Sequence, residues 1–315
     1  MHLIIIKQIE GREIIELSNE IIEAKISVKQ GFNLYSLLFN ETETIYFNED
    51  LETYSQHKKL AGIPFMHPWS NRLNGDKILN RSLTINEKQK TIIYRDANHL
   101  PLHGLILKSD KWKITSTKAT ESEASCTAKY SFDDKNLLAI FPFLHDVFLT
   151  IKLQGNSIFY TVEINNKSNK AMPVCFGFHP YFSLKNSSQI YLVTPGAAIA
   201  EVDNVLLPTQ NFIEKDTLFP FQNDILDIKN QQIDHAFIHH NQDKKYRLIT
   251  DNYVVEFDLD KHYRVMQIYH PDKAEKPYIC IEPMTALADA LNHGNYAAIP
   301  AGKKFEATFS MKFKK

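Results

Sequence analysis

A histidine next to a proline is the first residue of this sequence that could carry out chemistry. The segment PVCFGFHPYF, residues 173–182, is a short apolar run that reaches Gly177 and then places His179 directly before Pro180. A proline disfavours the helical region for the residue before it, so we expect His179 to be extended at a strand end. Aromatic surroundings can hold the pKa of an imidazole near neutrality, which suits a proton donor and acceptor. A core histidine among aromatic rings is the alternative.

A glutamate in an apolar segment is the second candidate. The segment YICIEPMTALADALNHG, residues 278–294, places Glu282 after two isoleucines and directly before Pro283. A carboxylate at the end of a hydrophobic strand must be paired, hydrogen-bonded or functional, because burial of an unpaired charge is costly. Glu282 is therefore a candidate functional carboxylate, and a helix cap or a salt bridge is the competing interpretation.

An arginine in a proline-rich segment is a candidate for binding a polar ligand. The segment GIPFMHPWSNRL, residues 62–73, places Asn71 and Arg72 shortly after Trp69. A planar guanidinium donates hydrogen bonds in a fixed geometry and stacks on aromatic rings. Arg72 beside an aromatic surface is therefore suited to sugar hydroxyl groups. A surface arginine in a loop is the simpler alternative.

Two histidines four residues apart raise the alternative of a metal site. His99 and His103 flank Pro101, which makes a helix unfavourable here, so the helical spacing of metal-binding histidines is not available. Residues four apart on a strand still share a face, and a zinc site remains an alternative. The simpler interpretation is a turn at His103, where Gly104 permits close backbone approach. Asp234, in the segment IDHAF, is a weaker candidate.

Alternating apolar residues dominate the segments that must position these side chains. A period of two is typical of strands with one buried face. A glycine between two of these segments, in Gln154-Gly155-Asn156, predicts a hairpin turn, and Glu10-Gly11 and Asn74-Gly75-Asp76 predict further turns. The strands that the alternation predicts cover residues 124–132, 147–153, 158–164, 253–259 and 305–313.

Helical periodicity is sparse, and its best candidate is a short turn around Ala286 to Leu291. Strands do not alternate with long amphipathic helices, which argues against doubly wound and TIM-barrel folds. No repeat of roughly 20–50 residues is visible, which argues against a propeller or a solenoid. We therefore predict an all-β fold, a large antiparallel β-sandwich with few short helices, as a single domain over residues 1–315.

The overall composition restricts the possible partners. The chain has 36 Lys and Arg against 37 Asp and Glu, so neither a nucleic acid nor a membrane surface is expected as a partner. Cys126, Cys175 and Cys280 form no CxxC pair, which predicts buried thiols instead of a disulfide framework. No apolar run could span a bilayer, and the N-terminal apolar run ends at Lys7, so we predict a cytoplasmic protein.

Taken together and in this order, these segments resemble the aldose 1-epimerase family, also called galactose mutarotase-like proteins. The resemblance covers nearly the whole chain. Its most specific motifs are GFHPYF at residues 177–182, Asn71-Arg72 after a Gly-x-Pro segment, His103-Gly104 with a tryptophan shortly after, and Glu282-Pro283. Weaker similarities are FPF at residues 141–143, LPT at 207–209 and IDHAF at 233–237.

The resemblance implies a sugar site in an open cleft on one sheet and a role for each matching residue. Glu282 would be the general base that takes the proton of the anomeric hydroxyl, and His179 the general acid that protonates the ring oxygen. Ring opening, rotation about C1–C2 and reclosure would interconvert the α and β anomers of a hexose. The substrate-binding residues implied in the same way are Asn71, Arg72, His103 and Asp234.

Ring opening needs one proton removed and one supplied, so it requires no nucleophile, metal or cofactor. The sequence has no P-loop, dinucleotide fingerprint, nucleophile elbow or clustered Cys and His site. We therefore predict a cofactor-independent isomerase that acts on a small-molecule aldose, as a monomer or a homodimer. The preferred aldose stays open. A hexose 6-phosphate is disfavoured because no paired-arginine phosphate site is recognisable, although Arg95 or a lysine could contribute to one.

Two other functions stay open as alternatives. A non-catalytic carbohydrate-binding or regulatory module could use the same sandwich, since fold does not fix function. The presence of both His179 and Glu282 argues against it. A glycoside hydrolase or polysaccharide lyase could use a related sandwich, but hydrolysis normally needs two carboxylates about the scissile bond. Glu282 has no convincing partner for that role except Asp234.

Overall fold

The fold consists mainly of strands. The structure is a computed structural model, and it describes residues 1–9, 11–195, 197–239, 245–271 and 276–315. Five short helices occur in this part of the chain, and none of them is long and apolar enough to cross a membrane. The all-β prediction is therefore confirmed. The turn predicted at Glu10-Gly11 lies partly outside the described residues, because Glu10 is not among them.

The strands are named in chain order. The first fourteen are β1 (Leu3–Ile9), β2 (Arg12–Ser18), β3 (Ile22–Ser27), β4 (Asn33–Phe39), β5 (Thr42–Glu43), β6 (Phe65–Met66), β7 (Lys77–Ile78), β8 (Arg81–Ser82), β9 (Tyr94–Arg95), β10 (Pro101–Leu102), β11 (Lys113–Ala119), β12 (Ala124–Phe132), β13 (His145–Gln154) and β14 (Ser157–Asn166). The others are β15 (Met172–Val174), β16 (Gly177–Phe178), β17 (Tyr181–Ser183), β18 (Ile190–Val193), β19 (Ala197–Val202), β20 (Pro208–Glu214), β21 (Ile225–Asp227), β22 (Ile233–His239), β23 (Arg247–Thr250), β24 (Val254–Leu259), β25 (Val265–His270), β26 (Tyr278–Met284), β27 (Ala297–Ile299) and β28 (Lys304–Lys314).

The helices are short and lie between strands. They are α1 (Leu51–Gln56), α2 (Glu87–Ile92), α3 (Lys135–Ile140), α4 (Lys215–Leu218) and α5 (Ala290–His293). The first three begin after Asp50, Asn86 and Asp134, whose side chains accept hydrogen bonds from the first turn and so satisfy otherwise unpaired backbone donors. The helical turn predicted around residues 286–291 occurs at α5, later in the segment than predicted.

The largest sheet contains the strands that the sequence predicts most clearly. Its nine strands run in the order β11-β12-β13-β14-β28-β24-β23-β18-β21, and neighbouring strands are antiparallel. Along β12 and β14, buried and half-buried residues alternate, as expected of strands with one face on the core. All five strands predicted from alternation are confirmed, as is the hairpin between β13 and β14.

A second, eight-stranded sheet packs against the first and carries the functional candidates. It runs β20-β19-β22-β25-β26-β16-β6, with β17 also paired to β26. Aromatic rings fill the interface between the sheets: Phe178 of β16 lies 5.0 Å from Phe309 of β28, and Phe182 of β17 lies 5.7 Å from Phe257 of β24. The predicted antiparallel β-sandwich is therefore confirmed. A five-stranded sheet, β1 to β5, and three two-stranded sheets complete the described strands.

The three cysteines are buried and free, as predicted.

Two loops that carry functional candidates are held together by a close backbone contact. The backbone of His67 runs parallel to that of Gly104, and the His67 carbonyl accepts a hydrogen bond from the Leu105 amide at 2.8 Å. Gly104 has φ +80°, and a Cβ atom there would lie 2.2 Å from the His67 carbonyl oxygen. A side chain at this position is excluded sterically and disfavoured by the backbone conformation. The predicted close approach at Gly104 is thereby confirmed.

The same loop is joined to the nine-stranded sheet by a buried pair of histidines. The Nε2 atoms of His67 and His145 are 2.7 Å apart, and His145 Nδ1 lies 2.7 Å from the Phe143 carbonyl oxygen. Because a carbonyl only accepts, Nδ1 of His145 carries the hydrogen, and a neutral His145 accepts at Nε2 from His67. Burial lowers the pKa of His145 to about 4 and lowers that of His67 well below its usual value. Both rings are therefore neutral in the folded protein.

Gly104→Ala is expected to destabilise the protein strongly. Gly294 is a matched control, because it has φ +78° and nothing lies within 4 Å of its Cβ position. Gly294→Ala should cost about 1–2 kcal/mol from backbone conformation alone. Gly104→Ala adds the clash with the His67 carbonyl and should lower the free energy of unfolding by at least about 2 kcal/mol more. Urea unfolding measures both, and equal losses would contradict the proposed contact.

Acid should destabilise the protein through the buried histidines. Their folded pKa values lie below the unfolded value of ~6.5, so below that pH the unfolded chain binds protons that the folded protein does not. Stability is then lost as pH falls from about 6.5 toward 4, by about 2 kcal/mol at pH 5 for His145 and by a further amount for His67. The double variant His67→Phe, His145→Phe removes both partners and should lose less stability between pH 7.5 and 5. An unchanged slope in urea unfolding would contradict this assignment.

Candidate functional site

A polar cavity on the eight-stranded sheet contains all six residues selected from the sequence. Its volume is about 570 Å³, within the range of roughly 300–1,000 Å³ that is usual for small-molecule sites. The selected residues that line it are Asn71, Arg72, His103, His179, Asp234 and Glu282.

Strand register brings His179 and Glu282 face to face. Gly177 of β16 pairs with Met284 of β26, and Tyr181 of β17 pairs with Cys280 of the same strand. The same antiparallel register places His179, between β16 and β17, opposite Glu282. Directly opposed residues point to the same side of a sheet. His179 Nε2 accordingly lies 3.3 Å from Glu282 Oε1.

The His179 ring is fixed by its neighbours. Its backbone amide donates to the Pro64 carbonyl at 3.0 Å. The ring stacks on that of Tyr181 at 4.5 Å with an angle of 6° between the planes, and the His103 ring meets it edge-on at 5.0 Å. The pairing register with β26 is the same on both sides of His179, as expected if this residue before Pro180 is extended.

Three buried polar atoms around this pair have no hydrogen-bond partner among the described residues. They are His179 Nδ1, His103 Nδ1 and Glu282 Oε2. A buried polar atom without a partner costs about 1–3 kcal/mol, and such atoms in a cavity are those that a polar ligand can satisfy.

The protonation state of the pair is set mainly by burial. Burial lowers the pKa of His179 to about 3. Burial also raises the pKa of Glu282 well above its usual value, the negative charge of Asp234 raises it further, and Arg72 opposes this. The expectation of an imidazole pKa near neutrality is therefore wrong, because the aromatic surroundings and β26 remove the ring from water. Burial therefore favours the uncharged forms of both groups, a neutral imidazole and a protonated carboxyl.

Arg72 is held by a network that orients its guanidinium. Nε donates to Asp96 at 2.7 Å, one terminal nitrogen donates to the Asn71 side-chain oxygen at 3.0 Å, and the other lies 3.5 Å from Asp234. Trp69 does not supply the aromatic surface expected beside Arg72, because it bridges Cys175, packs in the hydrophobic core and is not among the residues that line the cavity.

Gln267 joins the remaining polar residues. It pairs with Glu282 across β25 and β26 and donates to Asp234 at 2.7 Å, while Asn71 donates to the Gln267 oxygen at 3.3 Å. Sequence reasoning missed Gln267 and Asp96. Gln267 could have been recognised in the sequence, because it is a polar residue within the buried apolar run of β25. Asp96 could not, because only its contact with Arg72 connects it to the cavity.

Tyrosines form one wall of the cavity. The ring of Tyr278 lies 4.7 Å from that of Tyr46, 5.1 Å from that of Tyr181 and 6.4 Å from that of Tyr269. All four residues line the cavity, and their faces can pack on the C–H groups of a bound ring. They supply the aromatic surface that the sequence assigned to Trp69.

The cavity mouth is basic. Lys58, Lys59, Arg95 and Lys276 contribute to its lining. Arg95 is paired with Asp76 at 2.7 Å.

The metal alternative based on His99 and His103 has no support in the described part of the chain. His99 is exposed, whereas His103 is buried. Within the residues that the structure describes, one group has three ligand atoms close enough to hold a metal ion, and it consists of His179, Cys280 and Glu282.

Comparison with known proteins identifies the same fold and the family. A galactose mutarotase-like protein from Clostridium acetobutylicum superposes with a TM-score of 0.84 at 18% identity, covering 100% of this chain and 99% of that one. For the galactose 1-epimerase from Lactobacillus acidophilus the values are 0.76, 18%, 100% and 98%. For an aldose epimerase homologue from C. elegans they are 0.73, 14%, 96% and 99%.

Sequence comparison gives two further results. No significant match was found among curated protein sequences. The sequence profile of the aldose 1-epimerase family matches residues 13–312. Because this match spans nearly the whole chain, the protein belongs to the aldose 1-epimerase family.

Proposed function

We propose that this protein interconverts the α and β anomers of a hexose by acid-base catalysis at His179 and Glu282. The observation that carries the proposal is the contact of 3.3 Å between these two buried groups in a polar cavity. The two oxygens that exchange protons during ring opening are bonded to the same carbon, so an acid and a base that serve them must lie side by side. The pair meets this requirement.

The reaction begins with two proton transfers. Glu282, ionised when its proton is on His179, takes the proton of the hydroxyl on C1. The protonated His179 donates to the ring oxygen, the C1–O5 bond breaks, and its electrons become a lone pair on O5. The products are the open aldehyde and a neutral pair, with the proton on Glu282 and none on His179. This is the charge state that burial favours.

Reclosure reverses the transfers on the other face of the aldehyde. Rotation about C1–C2 presents that face, the O5 hydroxyl attacks C1, His179 takes the O5 proton, and Glu282 returns a proton to O1. The pair begins and ends with one proton in total. No net proton exchange with solvent is needed, which suits two groups shielded from water.

The remaining cavity residues hold the sugar in the proposed complex. Arg72 donates to sugar hydroxyls beside the reacting carbon, His103 donates or accepts there, and Asn71 and Asp234 complete the polar side. The Arg72 network keeps the guanidinium in one orientation, so less conformational freedom is lost on binding. The tyrosine wall packs on the apolar side of the ring.

Several predictions from the sequence are left as proposals. They are a single domain over residues 1–315, a cytoplasmic location, a monomer or homodimer, a reaction without a cofactor, and a free hexose as substrate in preference to a 6-phosphate. Because basic residues line the mouth of the cavity, the preference for a free hexose is the most useful of these to test, by assay of a hexose and its 6-phosphate.

Substitution of either member of the pair should abolish most of the activity. His179→Ala and Glu282→Gln each remove one proton-transfer group and should slow anomer exchange by about 10²–10⁴-fold. Polarimetry on freshly dissolved α-glucose and α-galactose, with EDTA-treated protein, measures the rates. His99→Ala, an exposed histidine outside the cavity, is the control. Sugar binding retained without turnover in the variants supports an enzyme, whereas near-normal rates in both would place the acid and base elsewhere. A wild-type protein that binds sugar without turnover would indicate a binding module.

The pH dependence should lack the usual histidine inflection. The reactive pair carries one proton, and burial moves the pKa of His179 down to about 3 and that of Glu282 upward. Protonation of the His179 imidazole therefore lies below pH 5, and kcat/KM should show no inflection near ~6.5. An ordinary imidazole would titrate near ~6.5. Circular dichroism verifies folding at each pH, and an inflection near 6.5 would disprove the assignment.

A further inference from the structure

Cys280 lies beside the proposed acid and base and has no part in their reaction. It precedes Glu282 by two residues on β26, so both side chains point to the same side of the strand. The Cys280 sulfur, a ring nitrogen of His179 and a carboxylate oxygen of Glu282 all lie within 4.8 Å of one another. All three residues are buried, with exposures of 0%, 5% and 2%.

These three groups are a favourable donor set for a borderline-soft divalent cation. Zinc binds thiolate, imidazole and carboxylate at about 2.3, 2.0 and 2.0–2.2 Å, which separates donors on a tetrahedral ion by about 3.3–3.7 Å. The nitrogen and oxygen are already 3.3 Å apart. The sulfur lies within 4.8 Å of both, so an approach of up to about 1.3 Å completes the set. A thiolate and a carboxylate together neutralise the two positive charges of the ion, which removes the main cost of burying it.

The cavity gives the metal ion a path from solvent to these three residues and leaves a fourth coordination position open. His179 and Glu282 line the cavity, as do the tyrosines that pack around Cys280. Glu282 Oε2 is buried and lacks a hydrogen-bond partner among the described residues, so this carboxylate has a free acceptor to offer. Three protein ligands with a fourth position open to water is a common arrangement for accessible zinc sites.

We propose that Zn²⁺ binds at His179, Cys280 and Glu282 and thereby inhibits the protein. The bound ion occupies the lone pairs that the acid and base use, so anomer exchange stops while the metal is present. The inhibition rests on the proposed function, whereas metal binding does not. Free zinc would then act as a reversible inhibitor, and the metal-free protein is the active form.

Cobalt tests the site without reference to activity. Co²⁺ bound to a thiolate gives a near-ultraviolet charge-transfer band, and a tetrahedral site gives intense visible bands. Titration of the EDTA-treated, dialysed protein should produce both, saturating at one ion per chain, and Zn²⁺ should abolish them. Cys280→Ser should lose the charge-transfer band. Cys126→Ser, at an equally buried cysteine in β12, is the matched control and should retain it.

Folding of the variants is checked by thermal unfolding, and Cys280→Ala replaces Cys280→Ser if the latter is unfolded. Absence of a charge-transfer band in the wild-type protein overturns the site, and so does a band that survives loss of the Cys280 sulfur.

Inhibition is measured separately by polarimetry, with each variant compared with its own metal-free rate. Zn²⁺ should stop exchange in the wild-type protein, and EDTA should restore it. The inhibitory concentration should rise by at least about 10–100-fold in Cys280→Ser, since that is the loss typical of an outer-shell partner and Cys280 is a direct ligand. Full activity at zinc saturation would overturn the inhibition. A protein that binds Co²⁺ but never accelerates exchange would refute the proposed function and leave the metal site standing.

Discussion

The contact between a buried carboxyl group and a buried imidazole is the constraint on which the rest of the site depends. Burial opposes charge on both groups and favours their neutral forms. In the proposed reaction, His179 and Glu282 transfer protons to and from two sugar oxygens without involving bulk water. The arrangement is stable only because β16, β17 and β26 fix both side chains from their backbones. On flexible loops, each group could move apart from the other and become hydrated.

The sandwich supplies this rigidity through complete strand pairing on both sides of β26. Glu282 is flanked by His179 on one side and by Gln267 of β25 on the other. Gln267 in turn donates a hydrogen bond to Asp234. Aromatic packing between the two large sheets lies directly beneath these strands. Loops then complete the cavity, and their position depends on close backbone contact at Gly104 and on the buried histidine pair of His67 and His145. Catalytic geometry and core packing therefore cannot be varied independently.

The same fold can form from sequences that share few residues. At 18% identity the fold of the clostridial protein is retained over the full length of both chains. An interior built from alternating apolar residues tolerates many substitutions of similar volume, so most positions can change. In the proposed reaction the acid, the base and the arginine could not be exchanged in this way, because each acts through its functional group. This is why short motifs carried the resemblance when the overall identity is low.

The sequence alone determined the all-β class and five of the strands, because period-two alternation is a local signal. Its short motifs, through their resemblance to a family, identified six of the polar residues that line the cavity. Tertiary structure decided what depends on contacts between distant segments. It placed Trp69 in the core, recruited Asp96 and Gln267, and moved the pKa of His179 away from neutrality. The physical reason is that burial and neighbours set a side chain's partners and charge, and both are properties of the assembled sheets.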